Sequence, residues 1–99
     1  MTSSNKQDIK DTVAAPGREF IFKLKDGKEV GRAGTINGFE SLVRVLPIES
    51  LEFHNGGKHF SIWLRYLKQD KLAKALDTID SKGERLREDL LTAIKKYKI

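Results

Sequence analysis

The sequence predicts an α+β domain in which a small antiparallel β-hairpin packs with four helices. Three observations carry that reading. Aromatic and β-branched residues run from Glu19 to Leu24, a glycine turn follows at 25–28, and a second short run lies at 29–33. From Phe39 onward, apolar residues recur three and four apart, the helical period. The chain has 99 residues, enough for one domain that buries roughly 60–70% of its unfolded surface and too few for two lobes around a deep cleft.

Residues 1–17 hold scattered polar side chains and an Ala-Ala-Pro-Gly run, and read as a flexible N-terminal arm ending in a turn, free to dock on a partner subunit. The folded domain is expected over 18–99. In the hairpin, a two-residue loop would oppose Lys25 and Lys28. A three-residue loop with Gly27 left-handed instead opposes Lys23 to Glu29 and Phe22 to Val30, and is preferred. Phe20, Phe22 and Leu24 then face the core, with Lys23 and Lys25 on or near the open face and Arg32 near the strand end.

Asn37 and Glu40 read as a capping box opening a helix whose Phe39, Leu42, Val43 and Leu46 share a stripe, ended by Pro47. Ile48 to His54 can begin a short helix that Asn55-Gly56-Gly57 breaks. His59 to Leu67 reads as a helix with Phe60, Trp63, Leu64 and Leu67 inward, and carries a second stripe of His59, Ile62 and Tyr66 beside Arg65. A helix apolar on two sides is buried on both or faces a partner. Asp70 caps the next helix, with Leu72, Ala75, Leu76 and Ile79 inward. Ser81 and Glu84 read as a second capping box for a last helix with Leu86, Leu90, Ala93, Ile94 and Tyr97 on one stripe and Leu91 off it.

Composition excludes several classes. Without cysteine there is no disulfide scaffold, thiolate zinc site or cysteine nucleophile. No window is long and apolar enough for a membrane span or a signal sequence, so a cytoplasmic protein without membrane association is expected. A third of the residues are charged and few are amides, the balance of a thermophilic protein. The formal charge of +5 favours polyanionic partners, and the excess is spread along the body rather than gathered in a tail.

Local chemistry points to binding rather than to catalysis. His54 and His59 lack a third ligand for a metal. Gly56-Gly57-Lys58 lacks the strand and spacing of a phosphate loop. Asp77, Asp80 and Glu84 fall at helix ends, where capping explains them, and no serine sits in a nucleophile elbow. No enzyme activity, metal, cofactor or small-molecule substrate is expected. Phe53, Trp63 and Tyr66 instead lie within a few residues of Lys58, Arg65 and Lys68, offering rings for bases and cations for phosphates. Trp63, on the inward stripe, reads first as core with its edge reaching a cleft, and Tyr66 as the better stacking ring. No duplex-reading motif is present.

Several segments resemble the DNA-binding domain of the ThermoDBP family, archaeal single-stranded DNA-binding proteins that lack the OB fold. They are Gly31-Arg32-Ala33, Pro47-Ile48-Glu49-Ser50-Leu51-Glu52-Phe53-His54, His59-Phe60-Ser61-Ile62-Trp63-Leu64, and Leu86-Arg87-Glu88 with Leu90-Leu91 and Ala93-Ile94. The resemblance runs from about Gly17 to Tyr97. The sequence ends at Ile99 without the further C-terminal zipper helix of full-length ThermoDBP, which implies the short group of related proteins, oligomerising another way, as a homotetramer. Ile62 stands where many relatives carry a basic residue, as an interface or a base-stacking wall.

The resulting expectation is a homo-oligomeric, sequence-nonspecific binder of single-stranded DNA. Lys23, Lys25, Arg32, Lys58, Arg65 and Lys68 would meet phosphates, and Phe53, Trp63 and Tyr66 would meet bases. Two alternatives stand beside it. One is a single-stranded RNA binder, since stacking and phosphate contacts do not sense the 2′-OH. The other is a protein-interaction module docking through His59, Ile62 and Tyr66.

Overall fold

A computed structural model describes residues 13–98; positions 1–12 of the expected arm lie outside them. Strands β1 (Phe20–Lys23) and β2 (Glu29–Ala33) form the antiparallel hairpin. Five helices follow: α1 (Ile36–Val45), α2 (Ile48–Gly56), α3 (His59–Tyr66), α4 (Asp70–Asp77) and α5 (Gly83–Tyr97). That is one helix more than the expected four, because 48–56 is a complete helix. The segment expected as a short helix from Ile48 runs on to Gly56 and has no apolar stripe: it buries Leu51 but also the polar Ser50, His54 and Asn55.

The three-residue loop forms as expected, with Leu24 and Lys28 joined by a backbone hydrogen bond of 2.8 Å, Asp26 accepting from the Lys28 amide, and Gly27 left-handed at φ 94°. Lys23 faces Glu29, but Phe22 faces Gly31 rather than Val30, which is bulged out as an extra residue. Packing explains the shift. A Cβ on Gly31 would lie 3.1 Å from Leu46, so placing the glycine inward lets α1 close on the hairpin. Leu24, expected in the core, is drawn into the turn and stays half-buried.

One edge of β1 pairs with β2. At the other, α2 meets the backbone of Lys23: His54 Nε2 accepts its N–H at 2.8 Å, and Ser50 Oγ donates to its carbonyl at 2.8 Å. The polar face of α2 thereby satisfies backbone groups that a strand edge would otherwise leave open. Asn55 donates in turn to the Ile79 carbonyl. Around this frame Phe20, Phe22, Phe39 and Phe60 pack edge-to-face, tilted or stacked with centroids 4.9–6.1 Å apart, in one core with Leu72, Leu76, Leu86, Leu90 and Ile94. Ala73 is buried where Ala75 and Ile79 were expected, and these two pack at its margin.

The packed body begins at Val13 rather than at Arg18. Val13 bridges Thr35, buried Ala14 donates to Gly34 O at 2.7 Å, and the Ala15 amide donates to the Tyr66 hydroxyl at 3.0 Å, so Val13, Ala14 and Ala15 of the expected arm are docked on this chain's own body, and Pro16 and Gly17 form an exposed turn. The expected caps also differ. Thr35, not Asn37, caps α1 by accepting from the Gly38 amide, while Glu40 pairs with Lys98 and Arg44. Asp70 is the first residue of α4 rather than its cap. Ser81 bonds Asp89 and Glu84 bonds Arg87, leaving the Gly83 amide at the start of α5 to Glu52 of α2. No described helix is long and apolar enough to cross a membrane.

Arg87 of α5 ties the last helix to the end of α1. Its Nη1 donates to the carbonyls of Val43 and Leu46, at 2.9 and 2.8 Å, closing the α1 end. Arg87→Ala is expected to lower the unfolding free energy by about 1–3 kcal/mol, the range for losing charged donors to partly buried acceptors. Urea denaturation measures it; an unchanged midpoint would mean that water replaces the guanidinium without loss.

Candidate nucleic-acid interface

The break expected from Asn55 onward begins only at Gly57, since Asn55 and Gly56 still belong to α2, and the turn Gly57-Lys58 brings His59, at the start of α3, back against His54. Lys58 adopts φ 59°, and His59 Nδ1 lies 3.0 Å from His54 Nδ1. Gly57 has an ordinary backbone conformation, φ −90° and ψ 0°, yet a Cβ there would collide with the His59 imidazole. Glycine is required at 57 by the ring and not by the torsion.

His59 sits where two shallow hollows meet. One, of about 350 Å³, lies between β1 and α2 and is lined by Glu19, Ile21, Lys23, Phe53 and His54. The other, of about 280 Å³, is lined by Arg18, Ile62, Trp63 and Tyr66. The two hollows adjoin at the His59 ring, which lines both, and make up the candidate groove, whose lining is mainly apolar. Phe53 stands edge-on to His54 and His59, with centroids 4.9 and 5.4 Å away. Ile62 is 66% exposed and forms the wall beside Tyr66.

Of the nine residues expected at the interface, the structure gathers four here: Lys23, Phe53, Trp63 and Tyr66. Trp63 is a core residue whose indole N–H donates to the Arg18 carbonyl at 2.8 Å, with only an edge reaching the groove. Tyr66 is less free than expected. The Arg18 guanidinium covers its ring at 4.4 Å and its hydroxyl is held by Ala15. Lys23 is exposed and has no ion pair among the described residues.

The other five lie elsewhere. Lys58 donates to the Asp77 carbonyl at 2.8 Å and Arg65 binds the Asp77 carboxylate at 2.9 Å, both fastening α3 to the end of α4. Arg32 is paired with Glu29 at 3.0 Å. Lys25 lines a separate hollow with Leu24, Pro47 and Glu49, and Lys68 another with Lys71, Lys96 and Tyr97. Sequence reasoning missed Arg18, assigned only to the start of the domain. Its position just ahead of an aromatic strand is an observable signal, but nothing in the sequence ties it to Tyr66, 48 positions on.

Among the described residues no group of three or more His, Cys, Asp or Glu could hold a metal ion. No family model, curated protein or solved structure matches the chain.

Burial lowers the His54 pKa from 6.5 to about 4, aided by the nearby charges of His59 and Lys23. Between those values the unfolded chain takes up a proton that the folded chain refuses. This contribution to stability is therefore fully present above about pH 6.5 and is lost as the pH falls toward 4. Thermal melts across that window should show a falling midpoint in the parent and a flatter profile in His54→Gln. Parallel profiles would refute the assignment to His54.

Proposed function

We propose that this protein is a non-catalytic, sequence-nonspecific binder of single-stranded DNA that acts in the cytoplasm as a homo-oligomer, a homotetramer by the resemblance to the ThermoDBP family. The observation that carries the reading is the groove at His59. Its floor is apolar and ringed by Phe53, the Trp63 edge and Tyr66, while Lys23 and Arg18 border it. Such a surface accepts unstacked bases on ring faces and edges and leaves phosphates to cations at the rim. Two adjoining open hollows suit a flexible strand better than a compact small molecule, which calls for a cleft that buries most of its surface. The ThermoDBP resemblance points the same way, and RNA is the near variant.

The cations at the groove that have no carboxylate partner among the described residues set the expected electrostatics. Lys23 and Arg18 would neutralise about two phosphates per protomer, a salt slope near −1.4, so affinity should fall only about sevenfold from 50 to 200 mM salt. Anisotropy of a labelled oligonucleotide, with duplex competitor, measures this. Phe53→Ala should weaken binding at least fivefold, from about 1–3 kcal/mol per stacked base. No binding at the lower salt would sink the proposal.

The 66% exposure of Ile62 beside a mostly apolar groove favours a second reading, a module that docks a protein partner. It predicts nucleic-acid binding that is weak and indifferent to Phe53.

A further inference from the structure

The hydrogen bonds under the groove determine where the histidine protons lie. The Lys23 backbone N–H can only donate, so His54 Nε2, at 2.8 Å, is the bare acceptor nitrogen. A neutral His54 then carries its proton on Nδ1, directed at His59 Nδ1 3.0 Å away. His59 Nδ1 must accept, which puts the His59 proton on Nε2. The reverse arrangement would set two N–H groups against each other, or would release the Lys23 amide at a buried strand edge. His54 is 4% exposed, which disfavours its cation and holds the chain of bonds in this sense. Among the described residues no hydrogen bond occupies His59 Nε2, and the ring borders both halves of the groove.

We infer that His59 presents a fixed Nε2–H donor to the middle of the groove and reads a hydrogen-bond acceptor of the bound strand. The acceptor is a base carbonyl or ring nitrogen, or a phosphate oxygen, which share that chemistry. The inference deepens the single-strand reading and rests on it. Gly57 is part of the device, since any side chain there would push the imidazole out of place. The arrangement favours ligands by their acceptors, without the strong salt dependence of a cation.

Two measurements test it. Long-range proton–nitrogen correlation of the imidazoles in the nitrogen-15-labelled protein, without nucleic acid, should find His54 protonated at Nδ1 and His59 at Nε2. A proton on His59 Nδ1 would overturn the inference whatever the protein binds. Anisotropy with a labelled oligothymidylate should then show about a fivefold or larger loss in His59→Phe, which keeps a ring and removes the donor, at unchanged salt slope. Gly57→Ala keeps the histidine and displaces it, and should lose affinity likewise; it decides the matter if His59→Phe does not fold. An abasic strand of the same length locates the acceptor: a loss that persists there assigns it to the phosphate, and a loss confined to the thymidylate assigns it to the base. Parent-like binding by both variants would overturn the role of His59 while leaving the single-strand reading intact, whereas failure of the parent to bind would overturn both.

Discussion

The peptide group of Lys23 is the constraint on which the rest is built. A two-stranded hairpin has two open edges, and one of them here must be covered without a third strand. Helix α2 covers it with side chains, Ser50 to the carbonyl and His54 to the amide. Because those two residues are four apart, they project from one side of the helix and set its position against the strand. The seat of α2 then places the two-residue turn at 57–58, and the turn places α3, whose His59 returns to touch His54. The groove is the consequence of this sequence of contacts: it lies where β1, α2 and α3 diverge above the pair of imidazoles.

What the sequence made legible follows the range of the interactions. The hairpin turn, the inward phenylalanines and the stripes of α1, α3 and α5 are local periodicities, and all appear in the fold. Helix caps were less legible because several residues compete for one amide. Thr35 stands two positions before Asn37 and takes the role, and the α5 start is served by Glu52, 31 positions away. Helix α2 hides its purpose because its buried face is polar. The site divides along the same line. Rings announce themselves by type, but whether a cation is free depends on where its counter-ion folds, and Asp77 and Glu29 claim Arg65 and Arg32.

That division also separates the two kinds of cation. All six arginines are engaged, five with carboxylates and Arg18 with the Tyr66 ring. Lysines such as Lys23, Lys25, Lys68 and Lys71 stay exposed and carry the charge that solvent sees. Arg65 and Arg87 tie separate elements together, whereas Arg32, Arg44 and Arg85 make exposed pairs within one element. Lys58 and Lys98 are also bonded across elements, and the other named lysines face outward, where they can follow a backbone without demanding one geometry. A surface of this kind attracts polyanions broadly, and discrimination is left to the groove.

The bond between His54 and Lys23 has a bearing on how the chain can vary. It uses the main chain of Lys23, so for the fold any residue with an amide proton serves at 23, and the side chain is left to the groove alone. His54, Gly57 and His59 enjoy no such freedom. Exchange of one leaves a buried nitrogen unanswered or a ring displaced, so the three should be inherited as a block or replaced together, and proline alone should be barred from position 23.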